Sequence, residues 1–342
     1  MNLGKHLKRK VESINDVYFV TDLDQCRRLW NDLINVRNIS DLWDFRYCFQ
    51  RHFNAEPCFL VRKDLMGITG MLPLSYLEEE GAFVFFPGEI WKQKTWIERT
   101  PIFLRDGERL DKLLRACPEG THLRYMEQPS SKFNSGLVLD EIGYVLYPGD
   151  FDFNIEDYAK RFSTKKFKNL KKTVQSLTTA QSSFYINRVE DFDVLVDMSV
   201  RRFKEDSYLF DSRFRESFRD VMLFLKQKGW LNMVSLEIEG QIAAVDLGAK
   251  FNNSYTVFIG GTLPEFPGVA KAMNMYHVAF ACKNKFRKID FLCGDFNWKK
   301  LWHLDEEPLY YYVSPEWVSN PAVGKKTQRS GWNSYGVSTI YA

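Results

Sequence analysis

Between residues 293 and 302 the chain reads CGDFNWKKLW, directly after the apolar run KIDFL. Gly294 and Asp295 take the chain out of a strand, and Trp298, Lys299, Trp302 and His303 follow at once. A carboxylate, an ammonium, an imidazole and two indoles gathered past one strand end can form the rim of a binding site. Acid–base groups there could move a proton and the rings could hold an apolar or cationic partner. The same residues also make an ordinary turn with amphipathic side chains, and the order of types alone does not choose between the two.

Two other stretches have chemical potential. In GTLPEFPGVAKAM a strand ends in Gly260 and Gly261, a loop with two prolines follows, and a helix begins near Gly268. Unpaired N–H groups and the positive end of the helix dipole would face a ligand there. Gly268 would let a phosphate approach the backbone, and Lys271 in the first turn would add charge. A plain loop-to-helix connection explains the same residues. In STKKFKNLKKTVQSL, residues 163–177, Phe167, Leu170, Val174 and Leu177 fall on one helical face. Lys165, Lys166, Lys168, Lys171 and Lys172 cover the other, either as a landing surface for a polyanion or as a solvated face.

Several chemistries are excluded by pattern. No P-loop, dinucleotide glycine fingerprint or Gly-x-Ser-x-Gly elbow occurs. The six cysteines form no Cys-x-x-Cys pair and have no metal-ligand spacing with the five histidines. Reduced, mostly buried thiols in a cytosolic protein are expected. His52, His122 and His277 are isolated, and His277 reads as structural, whereas His303 sits beside Trp302 in the stretch above.

The groups need a scaffold, and 342 residues with 45% hydrophobic and 15% aromatic content can build one or two cores. A net charge of +3 with 27% charged residues confines any basic function to a local patch. The basic N-terminus has no apolar segment behind it and no run is long enough to span a bilayer, so a soluble, cytoplasmic protein is expected. Residues 58–91 and 231–264 read alike at a constant offset of 173, which pairs Val61 with Val234, Gly67 with Gly240, Leu74 with Leu247, Val84 with Val257, Phe85 with Phe258 and Gly88 with Gly261. Both stretches read as three-stranded meanders.

Helical periodicity frames each meander: residues 22–36 and 41–53 before the first, and 213–228, capped by Ser212 and stopped by Gly229, before the second. A helix over 268–286, with Tyr276 on its apolar side, and the strand KIDFLC follow. These elements predict an α+β fold of two similar halves, each a mixed, mainly antiparallel sheet flanked by helices. A break is expected at 148–163, giving an N-terminal half over 1–150, a C-terminal half over 151–312 and an irregular tail over 313–342 packed through Trp317 and Trp332.

The lysine helix, the hairpin EIEGQIAAVDLGAKFNNSYTVFIGG, the loop-to-helix PGVAKAMNMYHVAFACKNKF and the strand ending in Gly-Asp resemble the GNAT-fold acyltransferases of the CelD type. That group is named for a cellulose-biosynthesis protein and is related to the FemAB peptidyltransferases. The resemblance covers roughly residues 17–312 and makes the first half a degenerate GNAT half. It implies N-acyl transfer from a thioester, acyl-CoA as co-substrate with no tightly bound cofactor, to an amine of a small molecule or envelope or polysaccharide precursor. Such transfer needs no enzyme nucleophile. It needs a main-chain amide on the thioester carbonyl and a base for the amine proton. The resemblance places the acyl arm along the third meander strand at Ile259 and Gly260, and the phosphates at Gly268, Val269, Ala270 and Lys271. Asp246, central in the second strand, would be the base, partly desolvated. Asp295, Lys299 and His303 would line the acceptor side with Trp298, Trp302 and Tyr276. The family's Gln/Arg-x-x-Gly-x-Gly/Ala signature is replaced by EFPGVAKA, and Trp298 stands where Tyr is common. FemAB relatives use aminoacyl-tRNA, which the lysine helix would suit, so the alternatives are a tRNA-dependent ligase and a catalytically inactive ligand-binding module.

Overall fold

The computed structural model describes residues 16–127, 137–178, 181–294 and 297–314; Asp295 and the tail with Trp317 and Trp332 lie outside them. The described chain forms two compact units. One comprises residues 16–141 with 308–314, the other Ile142–Glu307. The chain passes between units at 141/142 and 307/308, so the Pro-Gly stretch at 148–163 falls inside the second unit.

In the first unit β1 (Val17–Val20), helix α1 (Leu23–Leu33) and helix α2 (Trp43–Phe53) precede short β2 (Glu56–Pro57). The meander is β3 (Phe59–Asp64), β4 (Gly67–Leu72), β5 (Leu74–Leu77) and β6 (Ala82–Phe85). Then come β7 (Phe103–Leu104), α3 (Leu110–Arg115) and β8 (His122–Met126), which pairs with residues 310–313. Asp22 caps α1 by accepting from the Gln25 N–H, and Asn54 ends α2 in the left-handed region. Trp30, Trp43, Phe59 and Phe86 meet in one core and Leu60, Leu72, Leu74 and Phe83 in another, on opposite faces of the strands as a two-residue period demands.

The second unit begins with the end of β9 (Val138–Leu146) and α4 (Ile155–Ala159), then α5 (Thr164–Leu177), β10 (Ser182–Ile186), α6 (Phe192–Phe203) and α7 (Ser212–Lys228). Its meander is β11 (Leu231–Ile238), β12 (Gln241–Phe251) and β13 (Ser254–Thr262), followed by α8 (Val269–Lys283), β14 (Lys288–Cys293), α9 (Asn297–Leu301) and the start of β15 (Asp305–Val313). The strands lie in the order β10–β11–β12–β13–β14–β9. All described neighbours are antiparallel except β13 and β14, which α8 connects as a parallel crossover. The fold is thus α+β with a mixed, mainly antiparallel sheet. Ser163 caps α5 as its spacing predicts, but α7 is capped by Asp211, whose carboxylate accepts from the N–H groups of Arg213 and Phe214, not by Ser212. A carboxylate is the stronger acceptor at a helix N-terminus and displaces Ser212 into the first turn.

The two meanders share their turns, with one correction of register. Across the second turns, Ala82 corresponds to Tyr255, an offset of 173. Across the first turns, Asp64 faces Gly67 and Ile238 faces Gln241, so Gly67 corresponds to Gln241, an offset of 174. Pro73 is the extra residue. It splits the first-unit strand into β4 and β5, which join different sheets, where β12 runs unbroken. The pairings of Val61 with Val234 and Gly67 with Gly240 are therefore coincidences, while those of Leu74 with Leu247 and Val84 with Val257 hold. Phe85, which faces Leu74, corresponds to Ile259, which faces Leu247, so the pairings of Phe85 with Phe258 and Gly88 with Gly261 do not.

Gly268 adopts φ +89, and a Cβ there would stand 2.4 Å from the Thr173 methyl group on α5. Gly268→Ala should lower stability by roughly 1–3 kcal/mol through positive φ and the clash. Adding Thr173→Ala, which removes the methyl group, should recover the steric part, as denaturant titration of the single and double variants would show.

Candidate functional site: a splayed strand edge in the second unit

The parallel pairing of β13 with β14 lasts three rungs, Ser254 with Lys288, Tyr255 with Ile289 and Thr256 with Asp290. β13 then runs on to Thr262 and β14 to Cys293 without further pairing between them. At the same point the β12–β13 register shifts. Leu247 faces Ile259 and Gly248 faces Val257, so Phe258 is an extra residue on β13. A bulge turns the following amides and strengthens the local twist, which carries residues 257–262 away from β14. β14 bends too: Leu292 has φ +59 and its N–H is held by the Asp290 carboxylate at 2.9 Å. Two glycines follow the bulge, and Gly261 lets α6 pack closely, since a Cβ there would lie 2.7 Å from that of Met198. The segment with Ile259 and Gly260 is the place where an extended acyl arm could meet main-chain amides.

Asp246 sits on β12 opposite Gly260, and the structure joins it to a residue read as merely structural. His277 Nε2 lies 2.7 Å from Asp246 Oδ2, and both side chains are buried. Tyr255 Oη is 2.8 Å from His277 Nδ1 and 2.9 Å from Asn232 Nδ2. The donors fix the order. Asn232 can only donate through Nδ2, so Tyr255 gives its proton to Nδ1, and Nε2–H donates to the carboxylate. Burial raises the Tyr255 pKa well above the usual phenol value, which keeps that proton in place. Gly248 makes room for the Tyr255 ring, 3.0 Å from where its Cβ would be. The chain pins α8 to β11, β12 and β13. With Asp246 and His277 each 0% exposed, Asp246 holds the scaffold and does not meet a solvent-borne amine. A pairing between β12 and α8 is invisible to spacing rules, which explains why His277 was passed over.

Lys299 departs from its expected place on the acceptor side. It is 0% exposed, and its ammonium donates to the carbonyls of Phe291 at 3.0 Å, Leu292 at 2.9 Å and Cys293 at 2.7 Å. Its Nζ also lies 5.0 Å from the Tyr144 ring centroid. All three donors are thus used to tie α9 to the bent end of β14. Trp302 is buried against Phe162, and its carbonyl accepts from the Tyr158 hydroxyl. Trp298 packs edge-on to Phe291. These residues hold the strand end in shape and do not form an open rim.

At the start of α8 the Val269 N–H bonds to the Phe266 carbonyl and the Lys271 N–H to Gly268, while Thr173 fills the space beside Gly268. Val269 is buried, Ala270 half-buried and Lys271 exposed. Tyr276 stacks on Phe184 at 5.1 Å, and burial pushes its pKa up to about 12. His303 is exposed, edge-on to Phe162 at 4.7 Å; partial burial and then the charges of Lys166 and Arg161 lower its pKa. The lysines of α5 are exposed, and only Lys171 has an acidic neighbour within 4 Å among the described residues, Glu156 at 3.9 Å.

His277→Leu should cost about 3–5 kcal/mol in unfolding free energy, because it strands a buried carboxylate. Tyr255→Phe, which leaves neutral groups unmet, should cost about 1–3 kcal/mol. Lys299→Met should cost about 3 kcal/mol or more, since three carbonyls lose a charged donor. Chemical denaturation of the three variants checks the ranking.

Residues 164–300 match the family model of the acetyltransferase (GNAT) domain. No curated protein matches the chain. Among solved structures, FemX is similar over 87% of this chain and 98% of its own at 9% identity and a TM-score of 0.53. L-PGS from Bacillus licheniformis is similar over 86% and 93% at 11% identity and a TM-score of 0.53. A conserved protein of unknown function from Bacteroides thetaiotaomicron is similar over 86% and 98% at 12% identity, also with a TM-score of 0.53. With the parting of β13 from β14, the bulge at Phe258 and the helix that follows, these likenesses give the chain a GNAT fold like that of FemX, with residues 164–300 matching the GNAT domain.

Proposed function

We propose that the chain is an N-acyltransferase that takes an acyl group from a thioester and passes it to an amine of a small molecule or envelope precursor. The parting of β13 from β14 after Thr256 carries this reading. An acyl arm lying beside residues 257–262 would offer its carbonyl to strand amides, which would stabilise the oxyanion of the tetrahedral intermediate. The amine attacks directly, so the absence of a nucleophilic triad from the sequence motifs is consistent with the chemistry. The amine proton needs an acceptor. Asp246 is enclosed and Asp295 lies outside the described residues, which leaves His303 of the three acid–base residues expected from the sequence. With its pKa below the usual imidazole value, His303 is neutral at pH 7 and able to accept a proton. Acyl-CoA is the donor in this reading, in line with the GNAT domain. The six buried cysteines, none in a disulfide, suit a reducing compartment.

A second donor has its own support. The exposed face of α5 carries five lysines and no acid, and the resemblance to FemAB relatives implies aminoacyl-tRNA. That donor would bind with a steep dependence on salt.

Release of free thiol from a panel of short acyl-CoA esters in the presence of amines tests the first reading. Turnover is expected, with a rate that rises with pH only below about 6.5 as His303 loses its proton, and a loss of that limb in His303→Gln. No thiol release with any ester, together with a salt-dependent mobility shift of charged tRNA that Lys165→Glu and Lys168→Glu abolish, would transfer the case to the tRNA donor.

A further inference from the structure

We propose that the first unit carries a binding site for a small monocarboxylate, built on the buried guanidinium of Arg46 on α2 and independent of the acyl-transfer edge. Arg46 is 0% exposed. Its Nε donates to the Ser40 carbonyl at 2.7 Å, and its Nη1 to the Phe86 carbonyl at 2.5 Å and to Thr100 Oγ1 at 3.1 Å. The Trp30 ring lies 5.0 Å from the guanidinium carbon. Nη2 is buried and has no hydrogen-bond partner among the described residues. A buried cationic donor left unmet is costly, and Arg46 is part of the wall of a small cavity. Arg46, Glu89, Thr100 and Arg124 line that cavity together with Phe85 and Ile90.

The lining chooses the ligand. Thr100 accepts from Arg46, so its own proton is available as a second donor beside Nη2. Arg124 adds positive potential but is held by Asp140 at 2.6 Å and Glu141 at 3.2 Å, so Arg46 makes the contact. His122, also in the wall, is neutral, because burial and Arg124 push its pKa down to about 3. Among the described residues Glu89 is the one acid in the lining. Its Oε1 is saturated by the Thr95 hydroxyl, the Ile97 N–H at 2.9 Å and the Trp96 N–H at 3.3 Å, which tempers its repulsion of an anion. It would still oppose a dianion. The space accommodates about one or two water-sized groups, enough for a carboxylate head but not a phosphate. Phe85 and Ile90 in the wall would suit a short apolar tail.

Acetate, its neutral isostere acetamide, and phosphate are the probes, read by the thermal unfolding midpoint of the full chain at constant ionic strength. Acetate should raise the midpoint with saturation, while acetamide and phosphate leave it unchanged. Arg46→Lys should weaken acetate about tenfold or more, since it removes the fork that meets the anion. Glu89→Gln, which keeps its acceptor oxygen, should tighten acetate severalfold, and this arm stands even where Arg46→Lys fails to fold. Crystals soaked in acetate should show it on Nη2. An equal response to acetate and acetamide, no saturable response, a Glu89→Gln variant that does not tighten, or ordered water only on Nη2 would each overturn the proposal.

Discussion

The second unit depends on how briefly β13 and β14 hold together. Three rungs are enough to fix the parallel crossover through α8, and no more are made. A parallel pair in a closed sheet would be expected to continue to the end of its shorter strand. Here the extra residue at Phe258 rotates one strand and the positive φ of Leu292 bends the other. A non-glycine residue at positive φ is costly, so the surroundings must enforce it. They do so through Lys299, which gathers the carbonyls of 291–293 around one ammonium, and through the Asp290 carboxylate on the Leu292 N–H. The cost of burying the charge of Lys299 is offset by the three carbonyls that accept from it.

The opposite side of the divergence is held by a different device. β13 must part from β14 without peeling off β12, and the Asp246–His277–Tyr255–Asn232 chain reaches three strands and a helix at that level. Such a chain is directional. Reversing any one donor would leave another group unmet, so it specifies a single packing of α8 on the sheet. Residues expected to do chemistry therefore hold the shape in which chemistry can occur. Asp246 is a polar group surrounded by apolar sequence, and this pattern marks buried anchors as readily as it marks catalytic groups; Lys299, between Trp298 and Lys300, carries no such mark.

Much of the scaffold was legible because it rests on local rules. The strand after the long helix, the Ser163 cap, the Gly229 stop and the amphipathic face of α5 all follow from spacing and capping within one element. What failed was the step from one element to another. A gap-free offset aligned the two meanders but hid the residue added at Pro73, because a one-residue slip moves no composition, only the face each side chain occupies. The positions of Lys299 and His277 depend on which carbonyl or carboxylate lies opposite in space. Neither is fixed by a period of 2 or 3.6. The bulge at Phe258 has no sequence mark beyond the glycines that follow it.

The added Pro73 also explains why the two units, alike in their turns, do not offer the same edge. β12 crosses its sheet unbroken and can hand one continuous β13 to the divergence. In the first unit the proline ends β4, and β5 and β6 pair in a separate sheet with β2. β6 ends at Phe85, so no long third strand forms. The Phe86 carbonyl turns instead to the Arg46 guanidinium. A chain that repeats its meander thus puts a backbone carbonyl on a buried cation in one copy and a splayed strand in the other. In the first unit the strand breaks at a residue without an N–H to give to the ladder.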